Sequence, residues 1–306
     1  MILTVGDLVT DVLAVLRAPL APGSDTPATV HVAGGGQAAN TAAWLAAIGA
    51  PVTFVGAVGD DQAGRDRLAE LHQAGVRTQV SVRPGASTGS IVVLTHEGER
   101  TFITDRGANL LLAPADVDAA IAHGGQLLHL SGYTLLDQPS RPAGRRALAA
   151  ARAAGLRTSV DAASAAPLHA VTTELIDDGP TGHPFLDWVR GVDLLLANTD
   201  EATALAGPGT PAEQAMALSY AIGGQVVVKL GPYGALWAGP GGVVHLPTDP
   251  APMVDATGAG DAFAAGLLHA WMSGADPMPC LQAACLLGAQ AVGVVGARPP
   301  LPRPLA

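Results

Sequence analysis

Residues 127–160 read LLHLSGYTLLDQPSRPAGRRALAAARAAGLRTSV. Two short apolar runs, Leu127 to Leu130 and Arg157 to Val160, enclose an Ala-rich helical stretch, Arg145 to Ala154. Strand, helix, strand is the unit that joins parallel neighbours, because strands running the same way need a long crossover. The alternation extends in both directions. Toward the N-terminus lie Ile2 to Val5, Ala38 to Ile48, Val52 to Val55 and Gly64 to Ala74; toward the C-terminus come Asp193 to Ala197, Ala212 to Ile222, Val226 to Leu230, and helices from Ala262 and Pro279. The pattern predicts a doubly wound α/β fold, a mostly parallel central sheet with helices on both faces. A Gly-Pro-Gly-Gly turn between Ala235 to Ala238 and Val243 to Leu246 predicts an antiparallel hairpin at one edge.

Two stretches break this rhythm. Between Asp11 and Val32, and between Thr88 and Thr104, residues are β-branched or Pro-broken without a helical period. They predict strands outside the main sheet, a small β lid of segments about 11–33 and 85–106 in a single domain spanning 1–306. A lid excludes water from chemistry that hydrolysis would spoil, although ordinary surface hairpins would have the same sequence character.

At 306 residues and 49% hydrophobic content the chain can bury a large core. A net charge of -10 and the lack of a basic cluster argue against a nucleic-acid partner, so a small substrate is expected. No apolar run reaches membrane-spanning length, and MILTVGD opens directly as a strand, so no membrane partner and a cytoplasmic location are expected. Cys280 and Cys285 are expected to be buried apolar groups, and the histidines show no metal-ligand spacing. His129, Trp44, Phe54 and Trp271 fit core positions. The loop from Asp177 to Pro184 is longer than its neighbours, and a loose Pro-rich end is expected after Arg298.

The chemistry concentrates in DATGAGDAF, Asp255 to Phe263, just before a helix. Gly258, Ala259 and Gly260 are small enough for their amides to converge on an anion, helped by the helix dipole. Asp261 follows directly, where it can take a proton from an attacking hydroxyl; an acid at a helix start also serves as a plain cap. In GGGQAAN, Gly34 to Asn40, glycines let a ligand lie against backbone and Asn40 offers both a donor and an acceptor. Asp7 and Asp11 follow the first strand, and Asp11 can accept hydrogen bonds from sugar hydroxyls. NTDE, Asn198 to Glu201, ends a strand with an amide and a carboxylate suited to hydrated Mg²⁺.

Together these motifs resemble the ribokinase, or PfkB, family of carbohydrate kinases, and the resemblance covers essentially the whole chain. It implies an ATP-dependent kinase acting on a hydroxyl of a sugar or sugar-like molecule, with a nucleoside as the alternative acceptor. It casts Asp261 as catalytic base and Gly258, Ala259 and Gly260 as the anion hole. Asp11, Gly35, Gly36 and Asn40 would hold the acceptor. Asn198 and Glu201 would orient Mg²⁺ and the triphosphate, and the LGPYG turn, Leu230 to Gly234, would set Lys229 and Gly231 near ATP. Asp255 and the Thr257 carbonyl match a monovalent-cation position, which implies a potassium requirement. ERTFITDRGAN resembles a lid-return strand and brings Arg100, Asp105, Arg106 and Asn109 toward the acceptor; a solvated hairpin would explain the same residues. Lid strands of this family also pair between subunits, which implies a homodimer. Two positions depart from ribokinase itself: Gln37 replaces a lysine and Ser131 replaces a sugar-contacting glutamate, which counts against ribose.

Three other classes share parts of this pattern. Gly34, Gly36 and Ala39 satisfy the GxGxxA of a dinucleotide-binding oxidoreductase, but the strand Val52 to Val55 ends in Gly56 and Ala57 instead of an acid for the ribose. A P-loop kinase is disfavoured because the single lysine is followed by Leu230. A non-catalytic binding relative would not need the intact GAGD group.

Overall fold

The computed structural model describes residues 1–96, 99–174, 182–250 and 253–300. The strands are β1 (Ile2–Val5), β2 (Val9–Leu16), β3 (Ala28–Gly35), β4 (Val52–Gly59), β5 (Arg77–Arg83), β6 (Gly89–His96), β7 (Glu99–Asp105), β8 (Leu127–Ser131), β9 (Arg157–Asp161), β10 (Leu194–Asn198), β11 (Gln225–Lys229), β12 (Ala235–Gly239) and β13 (Gly242–Leu246). The helices are α1 (Gln37–Ala47), α2 (Gln62–Gln73), α3 (Pro114–Ala122), α4 (Tyr133–Leu136), α5 (Arg141–Ala153), α6 (Ala165–Glu174), α7 (Pro184–Val189), α8 (Thr199–Ala206), α9 (Pro211–Ile222), α10 (Ala259–Met272) and α11 (Pro277–Ala291).

Among the described residues the large sheet has nine strands in the order β13-β12-β11-β10-β9-β8-β1-β4-β5. From β11 to β5 all neighbours run parallel; β12 and β13 add the antiparallel hairpin expected at Gly239–Gly242. The strands alternate their apolar side chains between two cores, as a two-residue repeat requires. Leu3, Val5, Leu128, Leu130, Leu195 and Ala197 pack against α5, α7, α8 and α9. Ile2, Leu127, Leu194, Leu196 and Val227 face the opposite way, toward α1, α10 and α11. The strands read from residues 127–160 thus belong to a sheet covered on both sides, the arrangement that keeps a parallel sheet out of water.

The two irregular stretches form a separate sheet in the order β3-β2-β6-β7. Its outer pairs are antiparallel, while β2 and β6 run parallel. Register puts Val32, Val12, Val92 and Ile103 in one row, on the face opposite Asp11. Val30, Val32 and Ile103 are exposed there.

The sequence pattern did not mark β5 or α3. β5 reads RTQVSVR and lies at the sheet edge, where charged ends replace the apolar run that marks a central strand. The α3 stretch, PADVDAAIA, carries too weak an apolar stripe to stand out. Trp44, Phe54, Trp271 and His129 are buried as expected, and His129 Nδ1 pairs with Ser159 Oγ at 2.8 Å. Cys280 is buried, but Cys285 is not; it lines the cleft described below. The loop at 175–181 and the chain end beyond 300 lie outside the described residues.

Candidate active site

The parallel strands end on one side of the large sheet, and the turns after them carry the polar residues of the site. The turn before α10 is its centre. Gly258 takes φ 77°, ψ 0°, a left-handed conformation, and a Cβ there would overlap the Ala297 carbonyl. Gly258 is therefore the N-cap, with no side-chain cap. The first intrahelical bond is Ala262 N to Gly258 O at 2.9 Å, so the N–H groups of Gly260 and Asp261 have no acceptor within the helix. The Ala259 N–H is turned to Ala256 O at 3.3 Å, a long bond that a stronger acceptor can replace.

Asp261 sits in the first turn of α10 and does not cap it; its Oδ2 accepts from Asn40 Nδ2 at 2.9 Å. The capping alternative thus gives way to a carboxylate held across the site by α1. Burial raises the Asp261 pKa well above the carboxylate range, opposed by the Asn40 hydrogen bond and by Lys229 and reinforced by the charges of Asp161 and Asp7.

Lys229 ends β11, and its Nζ pairs with Asp161 Oδ2 at 2.7 Å. Burial pulls the ammonium's pKa down, but Asp161 and Glu201 outweigh it and hold the group protonated. A Cβ on Gly260 would stand 3.5 Å from Nζ, so the cation lies against the amide turn. Asp161, at the end of β9, is buried and also accepts from Gln37 Nε2 at 3.0 Å and Ala163 N at 3.1 Å. Sequence reading missed Asp161; the signal was an acid closing the short strand RTSVD, on the same sheet edge as Asn198 and Lys229.

A cleft of about 730 Å³ opens from this turn, walled by Asn198, Asp200, Lys229, Gly231, Gly260 and Phe263 and reaching Thr248, Cys285 and Val292. Asn198, Lys229, Gly231 and Gly260 thus line one cleft. Glu201 does not reach the wall. It is buried, and both its oxygens accept from Asn198, Oε2 from the backbone N at 2.8 Å and Oε1 from Nδ2 at 2.7 Å. With Asn198 Oδ1 accepting from Glu201 N at 2.8 Å, the pair forms a capping box at the start of α8. Burial lifts the Glu201 carboxyl to a pKa of about 7 against the pull of Lys229.

At the end of β3, Gly35 and Gly36 press against the acids that follow the first strand. A Cβ on Gly35 would overlap the Asp11 carboxylate, and one on Gly36, at φ 99°, the Asp7 carbonyl. Burial raises the Asp11 pKa to about 6, opposed by Arg298. Asp7 is buried, 3.6 Å from Arg106, which is also 3.4 Å from Asp137 and lies 3.7 Å from the centre of the Tyr133 ring. Asn109 differs from expectation. Its Oδ1 accepts from Leu8 N at 2.9 Å and its Nδ2 donates to Leu8 O and Arg106 O at 3.1 and 2.8 Å, so it clamps backbone around the site instead of facing an acceptor. Asp105 is exposed and bonded to Gly107 N.

Asp255 is buried and joins two loops: Oδ1 accepts from Thr257 N and Oγ1 at 2.9 and 2.7 Å, and Oδ2 accepts from Gly296 N at 3.0 Å. The GxGxxA rival fails on topology, since its strand, β3, belongs to the small sheet and pairs antiparallel with β2. Among the described residues no cluster of three metal-binding side chains occurs, and no helix is long and apolar enough to cross a membrane.

A helix turn whose N–H groups lack intrahelical acceptors, a lysine beside it and a carboxylate held by Asn40 are the parts of a phosphotransferase site that acts on an alcohol. Comparison with known proteins gives the same class. The model of the pfkB family carbohydrate kinases matches residues 1–304, and the chain belongs to that family. It is 32% identical to a 2-dehydro-3-deoxygluconokinase of Thermoproteus tenax, over 90% of this chain and 83% of that one. It is also 32% identical to a fructokinase of Klebsiella pneumoniae, with 88% of each chain covered. The crystal structure of adenosine kinase from Sinorhizobium meliloti superposes with a TM-score of 0.83 at 27% identity, covering 97% of this chain and 95% of that one.

Proposed function

We propose that the protein transfers the γ-phosphoryl group of ATP to a hydroxyl of a sugar or sugar acid, with Asp261 as general base. The observation that carries this reading is the position of Asp261, one residue past the Gly260 amide that walls the cleft and held from the other side by Asn40. ATP fits the cleft along Lys229, Gly231 and Asn198, with its terminal phosphate at the amides of Gly258, Ala259 and Gly260 where α10 begins. The acceptor fits beside Asp11, Gly35, Gly36 and Asn40. Asp261 takes the hydroxyl proton as the acceptor oxygen bonds to phosphorus; the bond to the β-phosphate oxygen breaks and ADP leaves. The amides and Lys229 stabilise charge on the equatorial oxygens without rearranging.

Mg²⁺ would be held through its water shell on the Asn198 side of the cleft, where the exposed carboxylate of Asp200 is an oxygen donor suited to it. Bound there, it would neutralise triphosphate charge. Glu201, engaged by Asn198, would act on it only indirectly. A potassium ion would be held at Asp255 and the Thr257 carbonyl, an oxygen-only donor set appropriate to a hard cation. The small sheet acts as a lid over the acceptor, and its outward row of Val32, Val12, Val92 and Ile103 provides a surface for a homodimer.

A nucleoside acceptor is the second reading, supported by the likeness to adenosine kinase. A sugar or sugar acid is favoured by the 32% identity to a 2-dehydro-3-deoxygluconokinase and to a fructokinase. ADP release should be measured with 2-dehydro-3-deoxygluconate, fructose, ribose and adenosine, with and without potassium. Turnover of one of the first three above adenosine is expected; nucleotide binding without turnover of any would identify a non-catalytic relative.

A further inference from the structure

Arg298 lies beyond the last helix, where the sequence suggests only the start of a Pro-rich end. Its side chain nevertheless enters the acceptor side of the site and is 13% exposed. Nε donates to Asn40 Oδ1 at 3.0 Å, Nη1 to Glu70 Oε2 at 3.3 Å and Nη2 to the Gly35 carbonyl at 2.9 Å. One guanidinium thus ties the C-terminal segment to α1, α2 and the end of β3. Gly34 leaves the space the guanidinium occupies, since a Cβ there would overlap Nη1.

The contact with Asn40 matters through the atom it selects. A guanidinium carries donors and no acceptor, so it can face only the oxygen of the Asn40 amide. That leaves Nδ2 turned to Asp261, to which it donates at 2.9 Å. A flipped amide would set oxygen against the Asp261 carboxylate and N–H against N–H. We propose that Arg298 is a positioning residue for phosphoryl transfer: by pinning the oxygen of Asn40 it keeps the amide N–H on Asp261 and the carboxylate aimed at the acceptor hydroxyl. This rests on the reading of Asp261 as the base.

The charged surroundings suit the role. Asp161, Lys229 and Asp7 also face Asp261, while Glu70, Arg67 and Asp11 surround Arg298. Burial lowers the Arg298 pKa to about 10, which leaves it a cation at neutral pH. Its own backbone is held without the side chain: Trp44 Nε1 donates to Ala297 O at 3.0 Å and Gly296 N to Asp255 Oδ2 at 3.0 Å. Removing the guanidinium should therefore leave the segment in place.

The test compares Arg298→Met and Arg298→Lys in the wild-type and Asn40→Ala backgrounds, after melting curves establish folding. With ATP saturating and the best sugar of the panel above, Arg298→Met is expected to lower kcat roughly 10-fold to 100-fold, with acceptor KM moved less than about 3-fold. Arg298→Lys should restore part of the loss. In the Asn40→Ala background the further loss should be under about 2-fold, because an effect carried through Asn40 cannot be lost twice. Unchanged kcat, a rise in KM alone, or full multiplication of the two losses would overturn the proposal. A readout independent of turnover is the Asn40 side-chain amide resonance, identified by its disappearance in Asn40→Ala. Its downfield shift should collapse in Arg298→Met; persistence of that shift also overturns the proposal. Asp261→Asn, measured in parallel, separates the two claims: near wild-type turnover there removes the base assignment, while the Asn40 resonance still reports whether Arg298 holds the amide.

Discussion

Gln37 Oε1 accepts from Ser131 Oγ at 2.7 Å, while Gln37 Nε2 donates to Asp161 Oδ1 at 3.0 Å. These are the two motif positions that the sequence reading sets apart from ribokinase, and in the structure they form one contact. The serine hydroxyl can donate to the amide oxygen, which turns the amide nitrogen toward the buried acid. Gln37→Met should cost about 1–3 kcal/mol, because Asp161 loses a donor in a buried place. Gln37→Glu should cost more, since it sets a second carboxylate beside Asp161. Urea denaturation checks both; equal stabilities of the two variants would show that Gln37 does not face Asp161.

Asp261→Asn keeps the size of the side chain and an oxygen for Asn40 but removes the ability to take a proton. We expect kcat to fall roughly 10²- to 10⁴-fold with little change in ATP affinity. Steady-state kinetics and calorimetric titration of ATP provide the two numbers. A comparable loss in both would mean that the residue holds the nucleotide instead of the proton.

The reach of sequence reading divides along physical lines. The central strands and their helices were legible because both faces of a parallel sheet are covered, so β8 and β10 appear as largely apolar runs. The edge strand β5 was not, because edges tolerate charge. In the site, Gly258–Asp261 and Gly34–Asn40 were legible as local turns leading into helices. Asp161 and Arg298 were not, because their partners are distant in the chain: Lys229 lies 68 residues from Asp161, and Asn40 lies 258 from Arg298. For Glu201 and Asn109 the residue types were readable, but not the engagement of their polar atoms by nearby backbone and side chains.

The raised pKa of Glu201 has a consequence for stability. Its folded value of about 7 exceeds the ordinary 4.5, so the folded state binds this proton more tightly than the unfolded chain. The stabilisation is fully present below the unfolded pKa and is lost as pH rises through about 7. Asp11, raised to about 6, acts in the same direction over a lower range. Glu201→Gln can keep the capping box while removing the titration. Melting temperatures at about pH 5 and about pH 8 should show the variant gaining on the wild type at the higher pH. An identical pH dependence in both proteins would mean that Glu201 titrates normally.

Gly258 is the position where backbone geometry and chemistry are least separable. Its φ of 77° disfavours any residue with a Cβ, by roughly 1–2 kcal/mol from conformation alone. A methyl there would also overlap the Ala297 carbonyl, whose oxygen accepts from Trp44 Nε1 at 3.0 Å. Gly258→Ala must therefore either push the 296–298 segment away from α1 or rotate the turn and its amides. Both routes disturb the place where a phosphate would be received, and the first also withdraws Arg298 from Asn40. The expected outcome is a lowered melting temperature together with weaker ATP binding, whereas Gly260→Ala, whose Cβ would stand 3.5 Å from Lys229 Nζ, should retain stability and lose mainly turnover. Calorimetry on both variants separates the cases, and a Gly258→Ala protein that melted and bound ATP like the wild type would show that the left-handed turn is not required.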